Sequence, residues 1–208
     1  MTDQLMPYNN KGYFSLKHCV YSPKALALGI NNFPGSDYHA LYAKNLSRDK
    51  IINNIHKLFK KCINPLKSQY SGVRLTSVYR NIELNEKLEG VPYSQHIYGY
   101  AADVVVPEMA SSIVFNWCRL NLPMYHQLIW EYPERGNYFP GKSSFSWVHI
   151  SYIEGNNFKE HSVSSLDPKI HDHYKESHTY RINDFTHGIK KPNQNLIDPE
   201  NEGLNLNL

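Results

Sequence analysis

No run of apolar residues in this 208-residue chain approaches the ~18 positions that a membrane-spanning helix needs, so a bilayer is not an expected partner. Cysteine is scarce. Cys19, Cys62 and Cys118 lie far apart with no CxxC pair, which argues against a disulfide framework and reads as small core hydrophobes in a reducing compartment. A dominant charge is missing too: the net charge is +3, and the basic residues are scattered except at Lys57, Lys60 and Lys61. A nucleic-acid footprint needs a clustered basic face, so no nucleic-acid partner is expected. The opening MTDQLMPYNNKGYFS lacks the basic region and apolar core of a signal peptide. The chain is therefore expected to be made and kept in a cytoplasm unless another machine exports it.

What is present suits one domain with an appendage. Ser22 and Pro23 have the chemistry of an N-cap and first helical residue, predicting a short helix from Lys24 to Ile30 that ends at Asn31, Asn32, Pro34 and Gly35. Between about Tyr38 and Ile63 the apolar residues Ile51, Ile52, Ile55, Leu58, Phe59, Cys62 and Ile63 recur at spacings of three and four, predicting a long amphipathic helix stopped by Asn64 and Pro65. Val73 to Tyr79 alternates as a strand. A short helix from Ile82 to Leu88, closed by Gly90, is expected to follow. Pro107 is expected to open a further helix with Ile113, Val114, Trp117 and Cys118 on one face. QLIWEY (127–132) and SWVHISY (146–152) read as strands, and the Pro- and Gly-bearing segment 133–145 between them predicts an antiparallel hairpin. Beyond Ile153 large apolar residues thin out, which predicts a polar arm or tail over 154–208.

The chemistry concentrates in YSQHIYGYAADVVV (93–106), where Asp103 interrupts an apolar strand seven residues after His96. Buried, ionised and unpaired, that carboxylate would cost several kcal/mol, so a cation, a set of donors or a metal must accompany it. His149 sits in a second apolar strand, and two histidines with one aspartate suit a zinc triad that keeps one coordination position for water and acidifies it. In an even hairpin, Glu131 lies opposite residue 147 or 149 and shares the face of His149, the place for a general base. Arg80, closing the first long strand, offers a guanidinium for a substrate carboxylate or a developing oxyanion. Tyr79, Ser94 and Gln95 are further candidates for the substrate pocket wall. Trp130, Trp147 and Tyr132 read as core and pocket wall. The His171, Asp172, His173 tract reads as solvated tail rather than a second metal site.

The ordered set SVYRNIELN, SQHIYGYAAD, QLIWEY and WVHISY resembles the zinc D-alanyl-D-alanine carboxypeptidase and murein endopeptidase family (peptidase family M15), in the branch common in bacteriophages. YFSLKHCVYSPKALALGINNFP is similar to that branch's opening segment and NPLKSQY to the end of its long helix, so the resemblance covers about residues 12 to 153. It implies an α+β fold with a small antiparallel sheet and helices packed against it, shared with the signalling domain of Hedgehog proteins, over a domain spanning 1–153. It also implies one zinc per chain on His96, Asp103 and His149, Arg80 contacting substrate, and Glu131 as the catalytic carboxylate. Two positions depart from the family pattern. Val78 replaces the usual glycine of the Ser-Gly-Tyr-Arg turn, which would narrow the space around Arg80, and Ser146 stands three residues before the last histidine, where better-known branches carry the base.

The expected function is therefore a zinc metallopeptidase that hydrolyses peptidoglycan peptides in the manner of an endolysin, resident in a host cytoplasm or a virion and acting on the cell wall. The competing expectation is a structural or binding component of a virion that keeps the peptidase fold and docks residues 154–208 on other virion proteins.

Overall fold

The computed structural model describes residues 14–35, 47–107, 109–138, 145–157 and 159–164, together with the backbone of three short strand segments at 5–6, 185–186 and 189–190. The chain begins with a two-residue pairing of β1 (Leu5–Met6) with β2 (Phe14–Ser15), followed by α1 (Leu16–Val20) and α2 (Pro23–Leu28). The predicted cap of α2 is present: the Ser22 hydroxyl accepts the Ala25 N–H at 3.2 Å, and Pro23 opens the helix. Gly29, in the left-handed region at φ 68°, ends it. Asn32, expected only to stop the helix, is a buried clasp. Its amide donates to the carbonyls of Val20 (2.8 Å) and Tyr79 (3.0 Å), and its side-chain oxygen accepts the Asn81 N–H at 2.8 Å. The N-terminal helices thereby grip the backbone on both sides of Arg80.

The main helix α3 (Arg48–Leu58) does not stop at Asn64 and Pro65 as predicted. It passes through a π turn (Phe59–Ile63) into α4 (Asn64–Gln69). The wider turn, in which the Asn64 N–H reaches back to the Phe59 carbonyl, lets the helix absorb a proline that lacks the N–H an ordinary turn would use. Residues 36–46, including the predicted start of this helix, lie outside the described residues.

The strands are β3 (Arg74–Ser77), β4 (Ala101–Val105), β5 (Gln127–Glu131), β6 (Trp147–Ser151) and β7 (Glu160–Ser164), in the order β3-β4-β6-β5-β7. The expected α+β architecture is there, with the antiparallel hairpin β5/β6, but the sheet is mixed because β7 pairs parallel to β5. The sheet thus takes in residues beyond 153. Apart from the antiparallel pairing of 185–186 with 189–190, the remainder of the segment expected to form an arm, His171, Asp172 and His173 included, lies outside the described residues. Between β3 and β4 the register slips, so that Ser77 rather than Thr76 lies opposite Asp103. A bulge of this kind re-aims a side chain, and here it puts Ser77 on the face of the aspartate.

Strand alternation sorts the sheet into two sides. Ala102, Val104, Leu128, Val148 and Ile150 join the α3 residues Ile51, Ile55 and Leu58 and the Val114, Phe115 and Cys118 of α6 (Ser111–Asn121) in one core. This helix begins at Ser111, not Pro107, and Ile113, expected to share a face with Val114, Trp117 and Cys118, is 52% exposed because the inward face runs through Val114, Phe115, Cys118 and Leu122. All three cysteines are free and buried, as expected. The opposite side of the sheet carries Ser77, Asp103, His149, Glu131, Ser162 and Ser164.

The loop from α5 (Ile82–Lys87) to β4 docks on α3 through Gly99, whose φ is 71° and where a Cβ would lie 2.8 Å from the Ile51 carbonyl oxygen. Left-handed strain and overpacking against backbone together should make Gly99→Ala cost about 2–5 kcal/mol of stability. Urea unfolding of the two proteins measures this; a loss below about 1 kcal/mol would show that the loop does not need the close approach.

Candidate metal centre

Three elements deliver the three candidate ligands. Asp103 is the middle residue of β4, and His149 of β6 is its direct register partner. His96 comes from the turn that precedes β4, tied down where the Arg80 N–H meets the His96 carbonyl at 3.2 Å. The sequence-predicted triad is brought together: His149 Nδ1 is 2.9 Å and His96 Nε2 is 3.2 Å from the same oxygen, Asp103 Oδ1. Ligand atoms of the three lie within 4.8 Å of one another, all three residues are buried, and among the described residues they form the one such cluster.

Hydrogen bonding assigns the role of each ring nitrogen. His96 Nδ1 lies 2.6 Å from the Val78 carbonyl, which can only accept, so Nδ1 carries the proton and Nε2 presents a lone pair to Asp103. Burial first, and then the Arg80 charge, push the His96 pKa down to about 4, so the ring is neutral at pH 7. Burial would raise the Asp103 pKa, but its contacts with the two histidines and its ion pair with Arg80 hold the carboxyl well below its ordinary value. With His96 neutral at pH 7, the standing positive charge is Arg80. Its Nη2 donates to Asp103 Oδ2 at 2.8 Å while its Nε donates to Ser77 Oγ at 2.9 Å. An ionised carboxylate oxygen facing an imidazole lone pair at 3.2 Å is repulsive unless a cation sits between them. The donor set fits that demand: two imidazole nitrogens and one carboxylate, without thiolate, are the ligands of catalytic zinc sites that keep an open position.

Of the other predicted residues, Glu131 is buried on the same side of the sheet, opposite Trp147 and two pairs along from Ile129 and His149. Arg80 meets Asp103, so its first partner is a ligand of the site. Tyr79 is in the core, with its N–H on the Cys19 carbonyl. Ser94 begins the tight turn that leads into His96, its carbonyl accepting the Ile97 N–H. Gln95 lies buried between His126 and His149. Val78 turns its side chain into the core, and its carbonyl serves His96. Ser146 accepts from Trp130 Nε1 and donates to the Glu131 carbonyl, so the position three before His149 braces the end of β5. Ser77 and His126 were not read from the sequence. A histidine directly before an apolar strand was the available signal for His126; nothing in VRLTSVY announces the bulge that turns Ser77 inward.

Because Arg80 balances a buried carboxylate, Arg80→Met should destabilise the metal-free full chain by about 3 kcal/mol at neutral pH. Urea unfolding in the presence of a chelator reads this. A cost under about 1 kcal/mol would mean that the histidines carry the compensation instead.

A family model described as Peptidase M15 matches residues 43–132, a span that contains Arg80, His96, Asp103 and Glu131 and ends before His149. No curated protein matches the chain. The match supports the M15 peptidase family and hence a peptidase, and the buried His96, Asp103 and His149 group could hold a metal ion. Among the described residues no helix is long and apolar enough to cross a membrane.

Proposed function

We propose that the protein is a zinc-dependent peptidase that hydrolyses the peptide stems or cross-bridges of peptidoglycan, as a D-Ala-D-Ala carboxypeptidase or murein endopeptidase. The observation that carries the metal half of this reading is the convergence of His96 Nε2 and His149 Nδ1 on one oxygen of Asp103. The peptidase half rests on the family match over residues 43–132. The peptidoglycan substrate rests on the resemblance of the ordered motifs.

Zinc bound there would supply Lewis acidity that makes water deprotonable near neutral pH. The remaining work belongs to the chain. Glu131 takes the proton from the attacking water at its carboxylate and returns it to the departing amine, a pair of transfers worth about 10²–10⁴ in rate. Arg80 holds Asp103 through one nitrogen, which keeps the ligand carboxylate fixed, and in this reading its guanidinium meets a carboxylate or carbonyl oxygen of the substrate. Burial of the site excludes bulk water and strengthens each of these interactions.

The purified full chain should carry about one zinc per molecule by elemental analysis. It should release amine groups from purified cell-wall peptides, with His149→Ala losing both metal and activity. Glu131→Gln should keep zinc while its turnover drops about 10²–10⁴-fold. Zinc-loaded wild type that leaves these peptides intact would end the substrate reading, and a Glu131→Gln variant as fast as wild type would end the base assignment.

A further inference from the structure

His149 differs from His96 in what stands behind it. Its second nitrogen, Nε2, faces no backbone carbonyl; it faces Gln95 Oε1 at 3.3 Å. The other end of the same amide, Gln95 Nε2, is 3.0 Å from His126 Nδ1. Both Gln95 and His126 are buried, at 2% and 1% exposure, so water does not compete for these contacts.

A primary amide has one accepting and one donating end, and its orientation decides the protonation pattern of the ring beside it. With the NH2 group on His126 Nδ1, the carbonyl oxygen requires a proton on His149 Nε2. His149 Nδ1 is then a lone pair directed at the Asp103 side, 2.9 Å from Oδ1. Reversed, the amide would offer N–H to His149 Nε2 and drive the proton to Nδ1. That proton would go to Asp103, and one of the three donors would be lost to the cation.

Because Gln95 Nε2 can only donate, His126 Nδ1 is the accepting partner of that contact. Its backbone N–H donates to the Ser151 carbonyl at 2.7 Å and its carbonyl accepts the Glu160 N–H at 3.1 Å, fixing it where β5, β6 and β7 meet. We propose that Gln95, oriented by His126, is a positioning residue that keeps His149 in its Nε2–H form and so presents Nδ1 to the divalent cation. The proposal rests on the metal reading above and assigns Gln95 a task other than lining the substrate pocket. A ligand orienter of this sort is worth about 10–100-fold in metal affinity.

The test compares the full-length wild type with Gln95→Leu, which removes the amide, and Gln95→Glu, which keeps an acceptor for His149. Zinc affinity is read by competition with a chromophoric chelator. The imidazole nitrogens of the zinc-loaded protein are assigned by ¹⁵N NMR, and melting in chelator reports whether each variant folds. Gln95→Leu should bind zinc about 10–100-fold more weakly and lose the slowly exchanging His149 Nε2–H signal. Gln95→Glu should retain both. Zinc on His149 Nε2 with the proton on Nδ1, or a folded Gln95→Leu that binds zinc as tightly as wild type, overturns the positioning role while leaving the metal site standing. A wild type that takes up no zinc overturns both. If Gln95→Leu does not fold, the wild-type nitrogen assignment and Gln95→Glu decide the matter.

Discussion

A single ionised carboxylate inside the sheet sets the terms for much of its surroundings. Asp103 occupies the middle of β4 among alanine and valine, where an unpaired charge would cost several kcal/mol. One oxygen is given to the Arg80 guanidinium and the other faces two histidines. Each partner arrives by a different route. His149 comes by strand register, His96 by a turn clamped to the Val78 carbonyl, and Arg80 by a backbone segment that Asn32 grips from outside. The bulge in β3 adds Ser77 as a second tether for Arg80. The fold spends many of its local irregularities within a few residues of this one group.

That concentration explains which parts of the structure were legible in the sequence. Asp103 in an apolar run announced itself because alternation and burial are readable along a strand. The shared side of Glu131 and His149 followed from the two-residue period and an even hairpin, and the observed pairing of Glu131 with Trp147 agrees. Ser22 and Pro23 sit where capping chemistry puts them. What escaped the sequence depends on relations between distant segments. The π turn at Phe59–Ile63 overrode the stop signal of Asn64 and Pro65, because a widened turn removes the conflict that makes proline a breaker. Ile113 has the right spacing for a buried face, yet the orientation of α6 is decided by Val114, Phe115 and Cys118 against β5 and β6. The contact of Gln95 with His126, 31 residues away, is another such relation.

The two sides of the sheet divide the labour physically. One is a close-packed aliphatic and aromatic core that ties β4, β5 and β6 to α3 and α6, where a change of one methyl group is felt. The other is polar and also buried, with serines, Asp103, His149 and Glu131. Groups on the polar side hold their geometry because the strands beneath them cannot shift without disturbing the packed side. Rigid elements position polar groups better than loops do, and β4, β5 and β6 carry Asp103, Glu131 and His149 respectively.

The parallel strand β7 gives the chain an order in time. It is the last strand of the sheet to be synthesised, and until it arrives β5 has a partner on one side alone. During that interval the strand bearing Glu131 is an open edge, with unpaired backbone groups able to recruit any extended chain nearby. Whenever β7 has yet to dock, neighbouring copies could pair through that edge. The brevity of the link from Ser151 to Glu160 keeps β7 close to the edge it covers and shortens that exposure.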